Sequence, residues 1–328
     1  MFLNLSLIII FNLLLFFSNN FVAKLFNIYD FPDKIRKFHT SAVPITGGIF
    51  VFVNIFLYFM IQVFFFQKTL FFDEIDLIFI YLFFCSLFFL LGFIDDKLDI
   101  NSNFKFFLTS IFITSILFLD PTIVISNIKF SFISLDLNIF SIPWTIVCFL
   151  LFINAFNMFD GFNLQSATYS AFLLIVLLFQ SQSDYLIFLI LIPIIFFGLL
   201  NYLNKSFMGD GGTYLISFII ACLFIKLYNQ ENIKFVDEIV CLMIIPGIDL
   251  MRLFVQRIIL YGRSPFSADR HHLHHYFLNN FSQNKSLLYL NILIILPYLI
   301  GKFFLGFLTV IVLQLIIYFI IIFKLKKN

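Results

Sequence analysis

Long apolar runs separated by short polar segments extend along almost the whole chain. A helix that crosses the hydrocarbon core of a bilayer needs about 20 mainly apolar residues. Eleven runs approach this length, at 3–26, 45–66, 76–94, 104–119, 142–158, 166–181, 184–203, 212–229, 236–259, 285–302 and 304–323. The pattern predicts an all-α polytopic membrane protein with about 10–11 transmembrane helices. The last two runs also allow a re-entrant pair, although two crossings are the preferred interpretation.

The remaining sequence patterns add no second domain. Residues 120–141 include the segment IKFSFISLDLNIF, whose alternation of polar and apolar residues predicts a small β-hairpin. The first run lacks a basic leader and a small-residue cleavage site, so it is predicted to be a retained span and not a signal peptide. We found no linker or internal repeat, and we therefore predict one integral membrane domain over residues 1–328.

The composition supports lipid as the solvent for most of the surface. Of the 328 residues, 62% are hydrophobic and 12% are charged, whereas soluble domains carry about 25% charged residues. The net charge of +2 and the lack of a basic patch argue against nucleic acid as a partner. All four cysteines lie within apolar runs, which is typical of small buried hydrophobic residues and not of disulfides or metal ligands.

The lysines and arginines predict the orientation in the membrane, because cytoplasmic loops are enriched in both residues. With the N-terminus outside and the C-terminus inside, 15 of the 20 lysines and arginines fall on the inner face. Every dense polar segment falls on that face too. These segments are DFPDKIRKFHTSAVPITGG, LGFIDDKLDINSNFK, NAFNMFDGFN, NKSFMGDGGT and GRSPFSADRHHLHH. Because a carrier places polar groups near the midplane, this distribution favours an enzyme whose active site is on the cytoplasmic face.

Several carboxylates in these segments are candidate ligands for a metal ion. Asp95 and Asp96 are adjacent at the end of an apolar run, and hard oxygen ligands suit Mg²⁺ that is bound partly through substrate phosphates. A solvated helix end is the alternative. Asp210 lies in a glycine-rich turn whose amides could bind phosphate, although a simple tight turn has the same sequence. Lys105 and Arg263 would suit a diphosphate, or could act only as positive-inside anchors.

Four of the five histidines lie in the pentapeptide HHLHH, residues 271–275. Zinc binding is one interpretation, but neither a partner cysteine nor an HExxH sequence accompanies them. A surface cluster without a role is the second. The third is recognition of an anionic substrate, in which Arg263 and Arg270 add fixed charge and imidazole adds donors near neutral pH.

The five polar segments, in this order, resemble the polyprenyl-phosphate N-acetylhexosamine-1-phosphate transferases of glycosyltransferase family 4. The GRSPFSADRHHLHH segment resembles the bacterial undecaprenyl-phosphate GlcNAc-1-phosphate transferase branch. That branch makes lipid carriers for O-antigen, enterobacterial common antigen or wall teichoic acid. The resemblance implies transfer of HexNAc-1-phosphate, by default GlcNAc-1-phosphate, from a UDP-sugar to undecaprenyl phosphate with release of UMP. It also implies Mg²⁺ as cofactor, with Mn²⁺ as an alternative, and location in the bacterial inner membrane among its lipids. A homodimer is left open.

The resemblance also implies roles for individual residues. Asp95 would accept the proton of the lipid phosphate or orient that phosphate, and Asp96 would help to bind the metal and the diphosphate. Asp210 is the strongest candidate metal ligand, with Asn157 as a second. Asp95, Asp96, Asp160 and Asp210 together form the predicted catalytic set.

The candidate substrate-binding residues are Lys105, Asn163, Arg263, Arg270, His272, His274 and His275. By resemblance, Lys105 contacts phosphate and Asn163 lies near the uracil, whereas the other five form a loop over the sugar and phosphates. Lys37 and His39 match a motif on the inner face whose role stays open. Asp249 and Arg252 lie inside a predicted span, where a charge costs roughly 2.5–3.5 kcal/mol and therefore implies an interior partner.

Two departures from the family pattern affect the predicted site. Relatives commonly read DG-x-D/N-GL, whereas this chain reads DGFNLQ from Asp160 and has leucine in place of the second glycine. Gly211 and Gly212 stand where a serine is often found. The alternative functions are a phospho-MurNAc-pentapeptide transferase, whose histidine-rich loop differs, and a non-catalytic transporter or scaffold. The pattern of CDP-alcohol phosphotransferases is absent from this sequence.

Overall fold

The computed structural model describes residues 2–32, 41–65, 74–181, 185–267 and 269–326. Lys37 and His39 lie outside these ranges. The helices are α1 (Phe2–Phe17), α2 (Asn19–Phe26), α3 (Gly47–Phe64), α4 (Ile75–Leu98), α5 (Ser102–Leu119), α6 (Ser141–Phe159), α7 (Gln165–Gln180), α8 (Tyr185–Tyr202), α9 (Gly209–Asn229), α10 (Val236–Val255), α11 (Leu273–Asn280), α12 (Gln283–Ile300) and α13 (Phe307–Lys326). Each of the eleven apolar runs thus contains a helix, or, for the first run, two.

Short non-α elements connect the helices. Strands β1 (Tyr29–Asp30) and β2 (Val43–Pro44) pair antiparallel, as do β3 (Asn127–Lys129) and β4 (Ser134–Asp136). The second pair confirms the hairpin that was predicted within residues 120–141. Short 3₁₀ turns at Pro121–Ile123 and Asn138–Phe140 flank it, and π-helical turns at Gln256–Leu260 and Gly301–Leu305 extend α10 and α12.

Eight helices are long and apolar enough to cross a membrane, and a ninth crossing results if α1 and α2, bent by 64°, form one span. This number covers only the ranges given above and is smaller than the eleven runs suggested. Helix α7 has 16 residues, fewer than a perpendicular crossing requires. Helix α10 carries Asp237, Glu238, Asp249 and Arg252, so it does not have the composition of a simple apolar span.

Helix α9 forms the centre of the bundle. All of its membrane-length segment is buried, and it packs against α3, α4, α6 and α7. Glycines allow backbones to approach at its start: a Cβ on Gly92 would lie 2.3 Å from the Asp210 carbonyl oxygen, and one on Gly48 would lie 2.4 Å from the Gly212 nitrogen. Small residues permit such close helix contacts. The packing therefore holds the first turn of α9 against the last turn of α4.

Buried polar pairs tie other helices together. Asn12 and Asn54 exchange side-chain hydrogen bonds of 2.8 and 3.1 Å between α1 and α3. At the opposite end of α9 from Asp210, Lys226 forms an ion pair of 3.0 Å with Asp120. The four cysteines are free thiols, three of them buried and Cys148 partly buried, in agreement with the prediction that they do not form disulfides.

Candidate active site

Asp95 lies in the last turn of α4 and is bound by groups from the turn that leads into α5. Its Oδ1 atom accepts a hydrogen bond of 2.7 Å from the Ile100 N–H, and its Oδ2 atom pairs with the ammonium of Lys105. Asn101 caps α5 by accepting the Asn103 N–H at 2.9 Å, so the turn places Lys105 above Asp95. The side chain of Asp95 is 6% exposed. Its charge is therefore already matched within the protein.

Asp96 contacts the start of α9. Its Oδ1 atom accepts the N–H of Asp210 at 2.9 Å, and its Oδ2 atom accepts that of Gly211 at 3.2 Å. The first amides of a helix have no partner within it, and the helix dipole favours an anion at that end. Gly209 adopts φ +72°, and a Cβ there would lie 2.6 Å from Asp96 Oδ2. Two amides of the glycine-rich turn therefore bind a carboxylate of the same chain.

Asp210 lies between two polar side chains. Its Oδ1 atom accepts a hydrogen bond of 2.9 Å from Asn157 Nδ2, which also contacts Thr213 Oγ1 at 2.8 Å. Its Oδ2 atom lies 3.5 Å from Lys105 Nζ. Asn157 therefore turns its amide nitrogen, not its oxygen, towards Asp210. In this arrangement Asn157 orients the carboxylate.

Asp160 and Asn163 belong to the loop between α6 and α7. Burial raises the pKa of Asp160 to about 6. Asn163 Nδ2 donates to Asn204 Oδ1 at 2.5 Å, and the N–H of Leu164 donates to Asn201 Oδ1 at 2.5 Å. These bonds connect the loop to the segment before α9. As a result, both segments face the same cavity.

The cavity has a volume of about 610 Å³. Four carboxylates line it, from Asp30, Asp96, Asp160 and Asp210, together with Asn163 and residues at the end of α11 and the start of α12. Of the predicted site residues, it thus brings together members from three separate segments. Lys105 reaches this group from the side, through its contacts with Asp95 and Asp210.

The donor chemistry of this cavity suits Mg²⁺. The ion is usually held by one or two carboxylates, waters and substrate phosphates, not by a full protein cage. Asp96, Asp160 and Asp210 supply carboxylates, and Lys105 is the cation that pairs with Asp210. No three His, Cys, Asp or Glu side chains converge on one point within the residues that the structure describes. These carboxylates therefore fit an Mg²⁺ ion whose other ligands are water and substrate oxygens.

The histidine segment is fixed to α10 through Asp249. The carboxylate of Asp249 accepts His272 Nδ1 at 3.1 Å, Arg252 Nη2 at 2.7 Å and the Leu273 N–H at 3.2 Å. The hydroxyl of Tyr318 on α13 donates to Asp249 Oδ1 at 2.7 Å and accepts from Arg252 Nε at 2.7 Å. Asp249 and Arg252 therefore have interior partners, as predicted.

Arg257 holds the other side of the segment. This fully buried side chain donates to Asp269 Oδ2 at 2.7 Å and to the carbonyl of Pro265 at 2.6 Å. Its Nη2 atom lies 3.5 Å from His272 Nε2. Both ring nitrogens of His272 thus face protein groups. The side chain is positioned as an internal anchor of the segment.

His274 lies against the loop that lines the carboxylate cavity. A Cβ on Gly161 would lie 2.2 Å from His274 Nε2, so the His274 ring packs directly on the Asp160–Gly161 turn. Burial lowers the pKa of His274 well below 6.5 and that of His275 to about 4. These two rings are therefore neutral near pH 7.

Arg263 and Arg270 are exposed, and neither is among the described residues that line the cavity. Their contact with substrate stays a prediction.

Several residues of the site region were not predicted. Asn201 and Asn204 face the cavity, and Arg257, Asp269 and Tyr318 support the histidine segment. The only sequence signal for the asparagines was a polar turn in NYLNKS, which is typical of capping. Tyr318 lies in the last apolar run, where no pattern distinguished it.

Comparisons with known proteins point to one family. Residues 78–228 match glycosyl transferase family 4. Proteins of Escherichia coli O157:H7 and Salmonella typhi, both named undecaprenyl-phosphate alpha-N-acetylglucosaminyl 1-phosphate transferase, are 27% identical over 82% of this chain and 74% of their own length. A Thermotoga maritima protein of the same name is 24% identical over 88% of this chain and 87% of its own. The family match includes Asp95, Asp96, Lys105, Asp160 and Asp210.

Proposed function

Because residues 78–228 match glycosyl transferase family 4 and the similar proteins all carry the same transferase name, we propose that the chain is a polyprenyl-phosphate sugar-1-phosphate transferase. It transfers an N-acetylhexosamine-1-phosphate, by default GlcNAc-1-phosphate, from a UDP-sugar to undecaprenyl phosphate. The observation that carries the proposal is the cavity that joins Asp96, Asp160 and Asp210 at the ends of apolar helices. A phosphate-bearing, water-soluble donor and a lipid acceptor can meet there, and the excess of lysine and arginine predicted on the same face supports the cytoplasmic side of the membrane for this site.

The proposed reaction is one displacement at phosphorus. An oxygen of undecaprenyl phosphate forms a bond to the β-phosphorus of the UDP-sugar. The bond between this phosphorus and the bridging oxygen breaks, and UMP leaves with that oxygen. Such reactions depend mainly on positioning and on neutralisation of charge. The placement of five groups therefore decides the rate: Asp95, Asp96, Asp160, Asp210 and Lys105.

The site residues take distinct parts in this step. Asp210, with Asp96 or Asp160, would hold Mg²⁺, which when bound neutralises charge on the diphosphate. Asn157 keeps the carboxylate of Asp210 turned into the cavity by its 2.9 Å hydrogen bond. Lys105 lies between Asp95 and Asp210 and can shift one of its three donors to a phosphate oxygen.

A second feature supports a lipid acceptor. An apolar groove of about 370 Å³ runs between α6, α9 and α10, from Trp144 at one end to Met251 at the other. Along α10 it extends from Val236 to Met251, or about 22 Å at 1.5 Å per residue. Helix α6 forms one wall of this groove and then carries Asn157 into the site. A polyprenyl chain in the groove would therefore bring its phosphate towards the carboxylates.

The first test is UMP release by purified protein in detergent. The mixture contains undecaprenyl phosphate and Mg²⁺, with UDP-GlcNAc and other UDP-HexNAc donors in parallel. We expect release with one donor, and its loss with EDTA or with Asp210→Asn. Asp136→Asn is the matched control, because Asp136 lies exposed on the hairpin strand β4. Folded protein that releases no UMP with any donor would contradict the proposal.

The groove has its own test. Gly247 lines it, and a Cβ there meets no atom within 4 Å, so Gly247→Leu should fill the groove without disturbing the helices. We expect turnover of undecaprenyl phosphate to fall at least tenfold, while a short-chain prenyl phosphate is affected less. Equal loss for both acceptors would exclude the groove as the lipid path.

A further inference from the structure

Leu164 has a backbone conformation that leucine rarely adopts. Its φ angle is +70° at the start of α7, in the left-handed region that glycine enters freely and other L-residues enter at a cost. The chain has leucine at a turn for which glycine is the best suited residue. Something else must hold the conformation.

Asn201 supplies that support. It lies in the last turn of α8 with 4% of its surface exposed. Its Oδ1 atom accepts the N–H of Leu164 at 2.5 Å, and its Nδ2 atom donates to the carbonyl of Ser206 at 2.7 Å. One amide thus joins the loop after Asp160 to the segment that leads into α9. Both its oxygen and its nitrogen are bound by backbone, which leaves the amide little capacity to bind a ligand.

The two segments that Asn201 joins both line the carboxylate cavity. Asp160 and Asn163 lie on one side, and Gly209 and Asp210 follow on the other. A slight unwinding at Leu164 would therefore move Asp160 and Asn163 relative to Asp210.

We propose that Asn201 is a positioning residue that holds Leu164 in the left-handed conformation. It thereby fixes the positions of Asp160 and Asn163 on the side of the cavity that would bind the UDP-sugar. It acts through the backbone of Leu164, whereas a glycine at position 164 would adopt this conformation without such support. The effect on catalysis rests on the proposed function, whereas the effect on the backbone does not.

The test is a double-mutant cycle of Asn201→Ala and Leu164→Gly. Asn201→Ala should raise the KM for the UDP-sugar about tenfold, which corresponds to about 1.4 kcal/mol, with a smaller change in kcat. Leu164→Gly alone should stay close to the parent protein, because glycine needs no support at this φ. The double variant should recover a KM within about threefold of the parent. If the double variant is as impaired as Asn201→Ala, Asn201 acts in another way and the proposal is wrong.

Thermal unfolding of the same four proteins in detergent gives a readout that needs no turnover. Asn201→Ala should lower the Tm, and Leu164→Gly should restore most of that loss. If Asn201→Ala alone does not fold, recovery of folded protein in the double variant would support the proposal equally. Asn204→Ala is the matched control: it removes the neighbouring bond to Asn163 and should not be rescued by Leu164→Gly. Absence of UMP release in all proteins, together with rescue of Tm, would refute the proposed function and keep the role of Asn201.

Discussion

Tyr318→Phe should destabilise the protein more than the loss of an ordinary buried hydroxyl. The hydroxyl of Tyr318 bonds to two charged groups at 2.7 Å, Asp249 and Arg252, and the side chain is fully buried. A hydrogen bond to a charged group contributes about 1.5–3 kcal/mol. Asp249 keeps His272 and the Leu273 N–H as partners, so the two losses should not sum fully. We expect a decrease of about 3 kcal/mol in the free energy of unfolding.

Tyr169→Phe is the matched control. Tyr169 is equally buried, but its hydroxyl makes one 3.2 Å hydrogen bond to the neutral carbonyl of Leu242. Such a bond contributes about 1 kcal/mol. Both variants keep the aromatic ring, so the packing is unchanged. Unfolding in detergent should therefore show a loss about three times larger for Tyr318→Phe.

The same pair of variants tests the link to the site. Loss of the Tyr318 hydroxyl loosens Asp249, which orients His272, so UMP release should fall in Tyr318→Phe and remain near the parent value in Tyr169→Phe. Equal stability losses in the two variants would refute the view that the charged network anchors the histidine segment.

Three further predictions concern other contacts. Gly161→Ala places a methyl group about 2.2 Å from His274 Nε2, so it should lower both Tm and UMP release, and adding His274→Ala should recover part of the Tm. Burial and nearby positive charge lower the pKa of His275 to about 4, below the 6.5 of an unfolded histidine. As pH falls from about 6.5 to about 4, His275 takes up a proton in the unfolded chain but not in the folded chain, so the free energy of unfolding decreases. His275→Gln should reduce this decrease when unfolding is measured over a series of pH values. Lys226→Met leaves Asp120 buried without its cation and should cost about 3–5 kcal/mol, whereas the double variant with Asp120→Leu should cost less.

The elements themselves were largely predictable. Each apolar run contains helix, and the alternating segment around residues 128–136 forms a hairpin, because run length and period reflect local geometry. The proximity of Asp96 and Asp210 could also be predicted, because Asp96 follows one predicted span and Asp210 precedes another on the same face. The sequence is therefore sufficient to predict elements that depend mainly on residues close together in the chain.

The arrangement of the helices was not predictable. Helix α9 is wholly buried, whereas only 22% of the membrane-length part of α13 is buried, yet α9 is the less apolar of the two in sequence. Lipid tails are as apolar as leucine, so hydropathy does not separate a helix that faces lipid from one that faces protein. Glycines such as Gly48 and Gly92 mark the close approach to α9, but glycine has other common roles in a sequence.

The internal partners of the site were missed for a related reason. His272 was predicted to contact substrate, but its two ring nitrogens face Asp249 and Arg257. These partners lie 23 and 15 residues away in sequence, across the turn that follows α10. Sequence shows that a charge inside a span needs a partner, and it does not show which residue supplies it. For Arg263 and Arg270, contact with the substrate stays a prediction.

The hydroxyl of Tyr318 also bears on how the protein is made. A ribosome synthesises the carboxylate segments first, then the histidine segment, and α13 after both. Until Tyr318 has entered the membrane beside α10, Asp249 and Arg252 lack the group that bridges them. A nascent chain therefore carries every predicted catalytic residue before the histidine segment is fully fixed. Synthesis that stops before α13 therefore leaves the histidine segment without one of its anchoring groups.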